Sequence, residues 1–97
     1  MTNILEKIVQ DKKESLIEIK KVNSLDVLEN KIKTLNNFFD FKQAITKNKN
    51  VSLITEIKKA SPSAGVLVKD FNHINIAKMY KDNGATCLSV LTEEKHF

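Results

Sequence analysis

Near its centre the chain reads Val51-Ser52-Leu53-Ile54-Thr55-Glu56-Ile57, an apolar run rich in β-branched residues. This composition, after a polar stretch at residues 47–50, is typical of a buried strand. The segment from Ser61 to Gly65 holds the only proline and one of the two glycines of the chain, which indicates a loop. The sequence therefore predicts a strand over residues 51–57 that leads into a loop at its carboxyl end.

A helix and a second strand are predicted after this loop. Asn72 can cap an amphipathic helix, and Gly84 is well placed to end it. Residues 86–91, Thr-Cys-Leu-Ser-Val-Leu, then return to strand composition. A helix between two strands is the usual connection between parallel strands, so the sequence predicts a βαβ unit and the α/β fold class. Both faces of such a sheet are normally covered by other elements.

Two amphipathic helices are predicted near the N-terminus. Apolar residues recur at helical spacing over residues 4–22 and again over residues 25–35. Asn23 and Ser24 between them offer a break and a helix cap. We therefore expect two successive helices in this part of the chain.

A third and shorter helix is predicted just before the central strand. Asp40, with Gln43 three residues later, resembles the capping box that opens many helices. We expect residues 1–50 to form a helical extension and residues 51–97 to form the βαβ unit on which it packs. No flexible linker separates the two parts.

The charge of the chain is weak evidence for nucleic-acid binding. The formal net charge is +4, but all sixteen basic residues are lysines. Arginine is the usual residue for bidentate contacts with phosphates and guanine. The lysines are also interleaved with acidic residues along the predicted helices, as on ordinary solvated surfaces. No nucleic-acid partner is therefore expected.

Cysteine content and hydropathy bear on the cellular compartment in which the protein is expected. Cys87 is the only cysteine and lies in an apolar run, so neither a disulfide nor a structural metal site is expected. No window approaches the roughly eighteen apolar residues of a membrane span, and no signal peptide is recognisable. We expect a cytoplasmic protein without a membrane partner, and we expect no cofactor.

Two charged side chains follow one another on one face of the predicted strand. Alternate residues of a strand share a face, so Ile54, Glu56 and Lys58 point the same way. The carboxyl ends of parallel strands hold the active site in α/β folds, and an adjacent acid and amine can act as an acid–base pair. The alternative is that the strand simply reaches the surface at Glu56, and spacing alone favours that alternative.

Longer motifs resemble a known enzyme family. Residues 53–63, Leu-Ile-Thr-Glu-Ile-Lys-Lys-Ala-Ser-Pro-Ser, look like the first-strand signature of the indole-3-glycerol phosphate synthases. Residues 4–9 are similar to the N-terminal helix of that family, and residues 76–85 to its first barrel helix and turn. Residues 88–97 resemble its second strand and the loop that follows. The resemblance covers nearly the whole chain in the order of the family.

The resemblance implies both a fold and a reaction. The fold would be a (β/α)8 barrel with an N-terminal helical extension, truncated here after the second strand. The reaction would be a step of tryptophan biosynthesis, in which a lyase closes a ring on the small phosphorylated substrate 1-(2-carboxyphenylamino)-1-deoxyribulose 5-phosphate. Carbon dioxide and water are lost, and the product is indole-3-glycerol phosphate. The third-strand lysine and the phosphate-binding loops of the family would lie beyond Phe97, so the 97 residues are expected to be inactive alone.

The same resemblance implies two catalytic residues. Lys58 would correspond to the first-strand lysine of the family, which contacts the anionic substrate and donates a proton. Glu56 would correspond to the neighbouring catalytic glutamate. Which step each residue serves is not decided by the sequence.

The resemblance also implies substrate-binding residues. Ser61, Pro62 and Ser63 match the first βα loop, which borders the substrate, although an ordinary turn would have the same composition. Phe97 matches an aromatic residue that lines the pocket for the anthranilate ring, and core packing is the alternative. The chain departs from the family pattern at His96, where an aromatic residue such as tyrosine is common.

Two interpretations from other functional classes stay open. The first is a non-catalytic barrel piece that pairs with another chain, such as a complementing C-terminal barrel fragment. The second is a basic nucleic-acid-binding module. That module would require a basic surface uninterrupted by acidic residues, which this sequence does not show.

Overall fold

A computed structural model describes residues 3–47 and 50–97 of the chain. Residues 48 and 49, in the predicted polar stretch, lie outside the described residues. The chain forms two compact units. The first ends at Phe39, and the second runs from Asp40 to Phe97.

From residue 3 onward, the first unit contains two helices. Helix α1 spans Ile4–Val22 and helix α2 spans Leu25–Lys33. Asn3 and Ser24 cap them, each through a side-chain oxygen that accepts the backbone N–H three residues later, at 2.8 and 3.3 Å respectively. The two helices predicted from the apolar spacing, and the cap at Ser24, are thereby confirmed.

In the described part of the second unit, residues 40–47 and 50–97, there are two helices and four short strands. In chain order they are α3 (Phe41–Lys47), β1 (Ile54–Ile57), β2 (Ala60–Ser61), β3 (Gly65–Val66), α4 (His73–Asp82) and β4 (Cys87–Val90). Strands β1 and β4 pair in parallel, with Ile54 opposite Cys87 and Ile57 opposite Val90. Helix α4 lies between them in sequence and packs on β1. The predicted βαβ unit and the α/β class are confirmed.

The helix boundaries in this unit follow side-chain caps. Asp40 Oδ1 accepts the Gln43 N–H at 2.8 Å at the start of α3, as predicted. Asn72 Oδ1 accepts the Asn75 N–H at 3.1 Å at the start of α4. Gly84 follows the end of α4 with φ +90, a left-handed conformation that favours glycine, and so ends the helix where the sequence predicted.

Strand β1 is shorter than predicted, because it begins at Ile54 and not at Val51. The parallel ladder starts where Cys87 stands opposite Ile54. Just before it, the Leu53 N–H donates to Thr86 Oγ1 at 3.0 Å, and the Leu53 carbonyl accepts the Thr86 N–H at 2.9 Å. The length of the strand is thus set by the residues opposite it and not by its own apolar composition.

The predicted loop after β1 contains a small hairpin. Strands β2 and β3 pair antiparallel, with Ala60 opposite Val66 and Ser61 opposite Gly65. Gly65 has φ +70, in the left-handed region. The predicted loop over residues 61–65 is confirmed as a turn at residues 62–64, whereas Ser61 and Gly65 lie in short strands that the sequence did not predict.

The paired strands β1 and β4 contribute few buried apolar side chains. Among the described residues, only Ile57 and Cys87 are buried apolar side chains, 3% and 9% exposed. Ile54 and Val90, on the same strands, are 52% and 51% exposed. Two strands cannot cover both of their faces, so most apolar side chains of this sheet remain accessible. Within the described ranges, no helix has the length and apolar character needed to cross a membrane.

Candidate active site

Glu56 and Lys58 meet at the carboxyl end of β1. Lys58 Nζ lies 3.1 Å from Glu56 Oε1, and their side chains are 31% and 48% exposed respectively. Strand alternation places both side chains on one face, as the sequence predicted. A catalytic acid–base pair and a simple surface ion pair both have this geometry, so the catalytic roles stay a prediction.

The ion pair itself contributes little to the stability of the fold. Partly exposed pairs of this kind contribute about 0–1 kcal/mol. The backbone at Glu56 is held in a different way, since the Tyr80 hydroxyl on α4 donates to the Glu56 carbonyl at 3.0 Å. The hydrogen bond from α4 therefore holds the backbone of Glu56 in position, while the carboxylate of Glu56 contacts Lys58.

The hairpin that follows Lys58 carries Ser61, Pro62 and Ser63. Ser61 lies in β2, and its Oγ accepts the Ala64 N–H at 3.1 Å across the turn, whereas Pro62 and Ser63 are exposed in the turn itself. The Lys59 carbonyl accepts the N–H groups of residues 67 and 68 at 2.8 and 3.3 Å. Both ends of the hairpin are therefore tied together directly after Lys58.

The segment after β4 runs beside the end of β1. The Leu91 N–H donates to the Ile57 carbonyl at 3.1 Å, so the pairing extends one bond beyond the ladder. A turn follows at residues 94–96 and leads to the half-buried Phe97. The Glu93 carboxylate accepts the backbone N–H of Lys95 at 3.1 Å and the backbone N–H of His96. The segment that follows β1 and the segment that follows β4 therefore begin next to each other, at the same end of the sheet.

The pKa of Glu93 is held below its ordinary value of 4.5. Burial acts to raise this pKa, but the hydrogen bonds from the backbone of His96 and Lys95, the charge of His96 and the hydrogen bond from the backbone of Phe97 together outweigh it. Hydrogen bonds to an ionised carboxylate favour the charged form. Glu93 is therefore an anion that the turn itself stabilises.

Comparison with known proteins identifies the family. The family model of indole-3-glycerol phosphate synthase matches residues 5–97, which is nearly the whole chain. The chain belongs to the indole-3-glycerol phosphate synthase family. This agrees with the resemblance of the four sequence motifs.

Relatives named indole-3-glycerol phosphate synthase match at similar levels in distant bacteria. The relative from Clostridium acetobutylicum is 48% identical over 97% of this chain and 36% of its own length. The relative from Prochlorococcus marinus is 49% identical over 98% of this chain and 32% of its own length. The relative from Legionella pneumophila strain Paris is 45% identical over 100% and 37% respectively. The chain spans about a third of the length of the curated relatives it matches.

The site residues expected of the synthase family are brought together only in part. Glu56 and Lys58 are in direct contact. Among the described residues, no hydrogen bond or ion pair joins Ser61 or Phe97 to either of them. Substrate contacts at the hairpin and at Phe97 therefore stay predictions.

Two residues of this region were given no role by the sequence. Tyr80 was placed only in the predicted helix, and nothing in its spacing indicates that its hydroxyl reaches a strand carbonyl. Glu93 was part of the family motif without a function of its own. The only signal was an acidic residue three positions after β4 and just before a polar turn, and this position alone does not determine which backbone N–H groups a carboxylate accepts.

Proposed function

We propose that this chain forms the N-terminal part of an indole-3-glycerol phosphate synthase of tryptophan biosynthesis. The observation that carries the proposal is the Glu56–Lys58 pair, in contact at the carboxyl end of a parallel strand in a chain that matches this family over residues 5–97. In parallel α/β enzymes this end of the sheet holds the chemistry. The substrate is a small phosphorylated molecule, 1-(2-carboxyphenylamino)-1-deoxyribulose 5-phosphate.

The parallel strands β1 and β4 are the first two strands of a (β/α)8 barrel in this proposal. The βαβ connection supports it, as do the open strand edges and the exposed apolar side chains of the pair. Residues 1–50 are then the helical extension of the barrel, and residues 51–97 its first βαβ unit. The remaining strands of a relative would supply the missing neighbours. A cytoplasmic location fits a biosynthetic enzyme of this class.

The proposed reaction needs a proton at a ketone oxygen. The aromatic carbon that bears the carboxylate attacks the ketone carbon, and the ketone oxygen becomes a hydroxyl as it takes up a proton. Carbon dioxide then leaves and restores the aromatic ring. Loss of the hydroxyl as water, together with a proton from the neighbouring carbon beside the nitrogen, forms the indole. In this proposal Lys58 donates a proton and contacts the anionic substrate. Glu56, 3.1 Å away, is the carboxylate that orients it and can exchange a proton.

The residues around this pair bind the substrate in the same proposal. Ser61, Pro62 and Ser63 border it from the hairpin that begins directly after Lys58. Phe97 contacts the anthranilate ring from the segment that leaves β4. The hydrogen bond between Leu91 and Ile57 supports this arrangement, because it starts the second segment beside the end of β1.

The test uses a hybrid enzyme, in which residues 1–97 are joined to the C-terminal part of the Clostridium acetobutylicum relative. Lys58→Ala and Glu56→Gln should each lower kcat by at least roughly 10²-fold, the usual effect of losing a positioned acid or base. The rate should be expressed per folded molecule, with the folded fraction taken from circular dichroism.

Lys59→Ala is the matched control. The Lys59 side chain is exposed, and the backbone bonds of this residue to the hairpin survive the substitution. Its kcat should stay close to that of the unmodified hybrid. An equal loss in Lys58→Ala and Lys59→Ala would mean that positive charge near the site matters and that no directed proton donor exists. If Lys58→Ala and Glu56→Gln only reduce the folded fraction, their role is structural and the assignment is wrong.

A second candidate function is a non-catalytic barrel piece that pairs with another chain. The half-exposed apolar side chains of β1 and β4, such as Ile54 and Val90, favour it, because they need a neighbour from outside these residues. The two candidates share the barrel and differ in whether the rest of it belongs to the same polypeptide. Sequencing the gene downstream of the codon for Phe97 separates them.

A further inference from the structure

The turn after β4 is organised around one carboxylate. Glu93 accepts the N–H of Lys95 at 3.1 Å and the N–H of His96, and the backbone of Phe97 also helps to lower the pKa of its carboxyl. Backbone N–H groups from successive residues that converge on one anion fix the path of the chain between them. Removing the carboxylate would release the peptide groups that lead to Phe97.

The position of this turn relates it to the candidate active site. The Leu91 N–H donates to the Ile57 carbonyl, so Glu93 lies two residues past the last backbone bond between the two strand ends. Lys58 is the next residue after Ile57 on the other strand. The turn therefore begins at the same end of the sheet as the Glu56–Lys58 pair.

Glu93 does not belong to the core of the unit. Among the described residues the buried apolar side chains are Ile57 and Cys87, and Glu93 accepts hydrogen bonds from the backbone N–H groups two and three positions later. Its substitution should therefore disturb the turn and leave the strand pair and helices in place. This separates a positioning role from a general contribution to folding.

We propose that Glu93 is a positioning residue, whose carboxylate shapes the turn so that Phe97 is presented to the aromatic ring of the substrate. This role rests on the proposed function, because Phe97 and not Glu93 would contact the substrate. Loss of Glu93 should then weaken substrate binding more than it slows the chemical steps.

The test compares four variants of the hybrid enzyme. Glu93→Ala and Phe97→Ala should each raise KM by about tenfold or more with a smaller change in kcat, within the roughly 10²-fold effects that misplacement of positioning groups can have. The double variant should match Phe97→Ala alone, because a residue that acts through Phe97 has nothing to position once the ring is gone. Glu93→Gln keeps one acceptor oxygen and should recover part of the loss.

Glu94→Ala is the matched control, since Glu94 is the adjacent and exposed acid. Its KM should equal that of the unmodified hybrid. Hydrogen exchange of the peptide that covers residues 92–97 should be faster in Glu93→Ala and unchanged in Glu94→Ala.

The outcomes separate this proposal from the proposed function. A hybrid without turnover when Glu93 is present contradicts the proposed synthase, and with it the role assigned to Glu93. In an active hybrid, an unchanged KM in Glu93→Ala, or effects of Glu93→Ala and Phe97→Ala that multiply in the double variant, would overturn the positioning role alone. A raised KM, no further loss in the double variant and faster exchange at residues 92–97 are the result we expect.

Discussion

Two glutamates at the same end of the sheet have different partners. Glu56 contacts a lysine ammonium at 3.1 Å, whereas Glu93 accepts backbone N–H groups from the turn that follows it. A side-chain ion pair can be rearranged when a substrate enters, because neither partner is fixed by the backbone. A carboxylate bound by successive peptide groups is part of the local structure. These different partners agree with the different roles proposed for the two residues, proton exchange for Glu56 and positioning for Glu93.

Acidification should release the turn at Glu93. Folding lowers the pKa of this carboxyl below its ordinary value of 4.5, so the stabilisation of the turn is fully present above about that pH and is lost as the pH falls through the lower folded value. In the hybrid enzyme, the amide resonances of Lys95 and His96 should shift in the acidic range with an inflection below pH 4.5. Glu93→Gln should remove that inflection, and its persistence would assign the titration to another group.

The sequence predicts side-chain pairing at this scale only where the secondary structure has a simple period. Alternation along a strand was enough to place Glu56 beside Lys58. The bonds of Glu93 depend on the dihedral angles of residues 94–96, and several turn conformations are compatible with the same sequence. For that reason the pair could be predicted and the bound carboxylate could not.

The elements were predictable where a local signal defines their ends. Side-chain caps at Ser24, Asp40 and Asn72 lie at the starts of helices in the structure. The ends of β1 depend on which residues of β4 lie opposite, and this cannot be read from β1 itself. The hairpin of β2 and β3 has two residues in each strand, too few to show a strand period. The sequence therefore did not predict the hydrogen bonds that join β2 and β3 after Lys58.

The contact between α4 and β1 should depend on the Tyr80 hydroxyl. Tyr80→Phe removes its hydrogen bond to the Glu56 carbonyl and keeps the ring, so the free energy of unfolding of the hybrid enzyme should fall by roughly 0.5–1.5 kcal/mol. Urea unfolding followed by circular dichroism measures this change. Lys78→Ala, an exposed position on the same helix, is the control and should change stability by less than about 0.5 kcal/mol. Equal midpoints for Tyr80→Phe and the unmodified hybrid would show that the bond adds no stability.

At the scale of the whole molecule, a two-stranded parallel sheet is an incomplete structure. Parallel strands are normally covered on both faces and flanked by further strands. Here Ile54, Leu88 and Val90 remain 41% to 52% exposed, and the relatives are about three times as long as the matched region. The class of the fold was predictable from strand, helix and strand in succession. A barrel needs further strands, and residues 1–97 carry no information about them. The prediction of a barrel therefore rests on the family resemblance.

Residues 1–97 alone should show no synthase turnover, and a complementing fragment should restore it. Catalysis requires the acid, the base and the phosphate site to be held in one geometry, and the matched region is only 36% of the Clostridium acetobutylicum relative. We expect the C-terminal part of that relative, supplied as a separate chain, to dock on the outer edges of the β1–β4 pair.

Formation of the indole product, followed by its fluorescence, should be absent for either chain alone and present in the mixture. When residues 1–97 carry Lys58→Ala, the rate of the mixture should fall by at least roughly 10²-fold. The reason is that the substitution removes the proton donor that this chain supplies. Lys59→Ala in the same mixture should keep the rate, and size-exclusion chromatography should show that both variants still dock. Turnover by residues 1–97 without a partner would mean that the strand pair and its helices suffice for the reaction. A mixture that forms a stable complex, seen by size-exclusion chromatography, but has no activity would instead make this chain a structural part of the barrel.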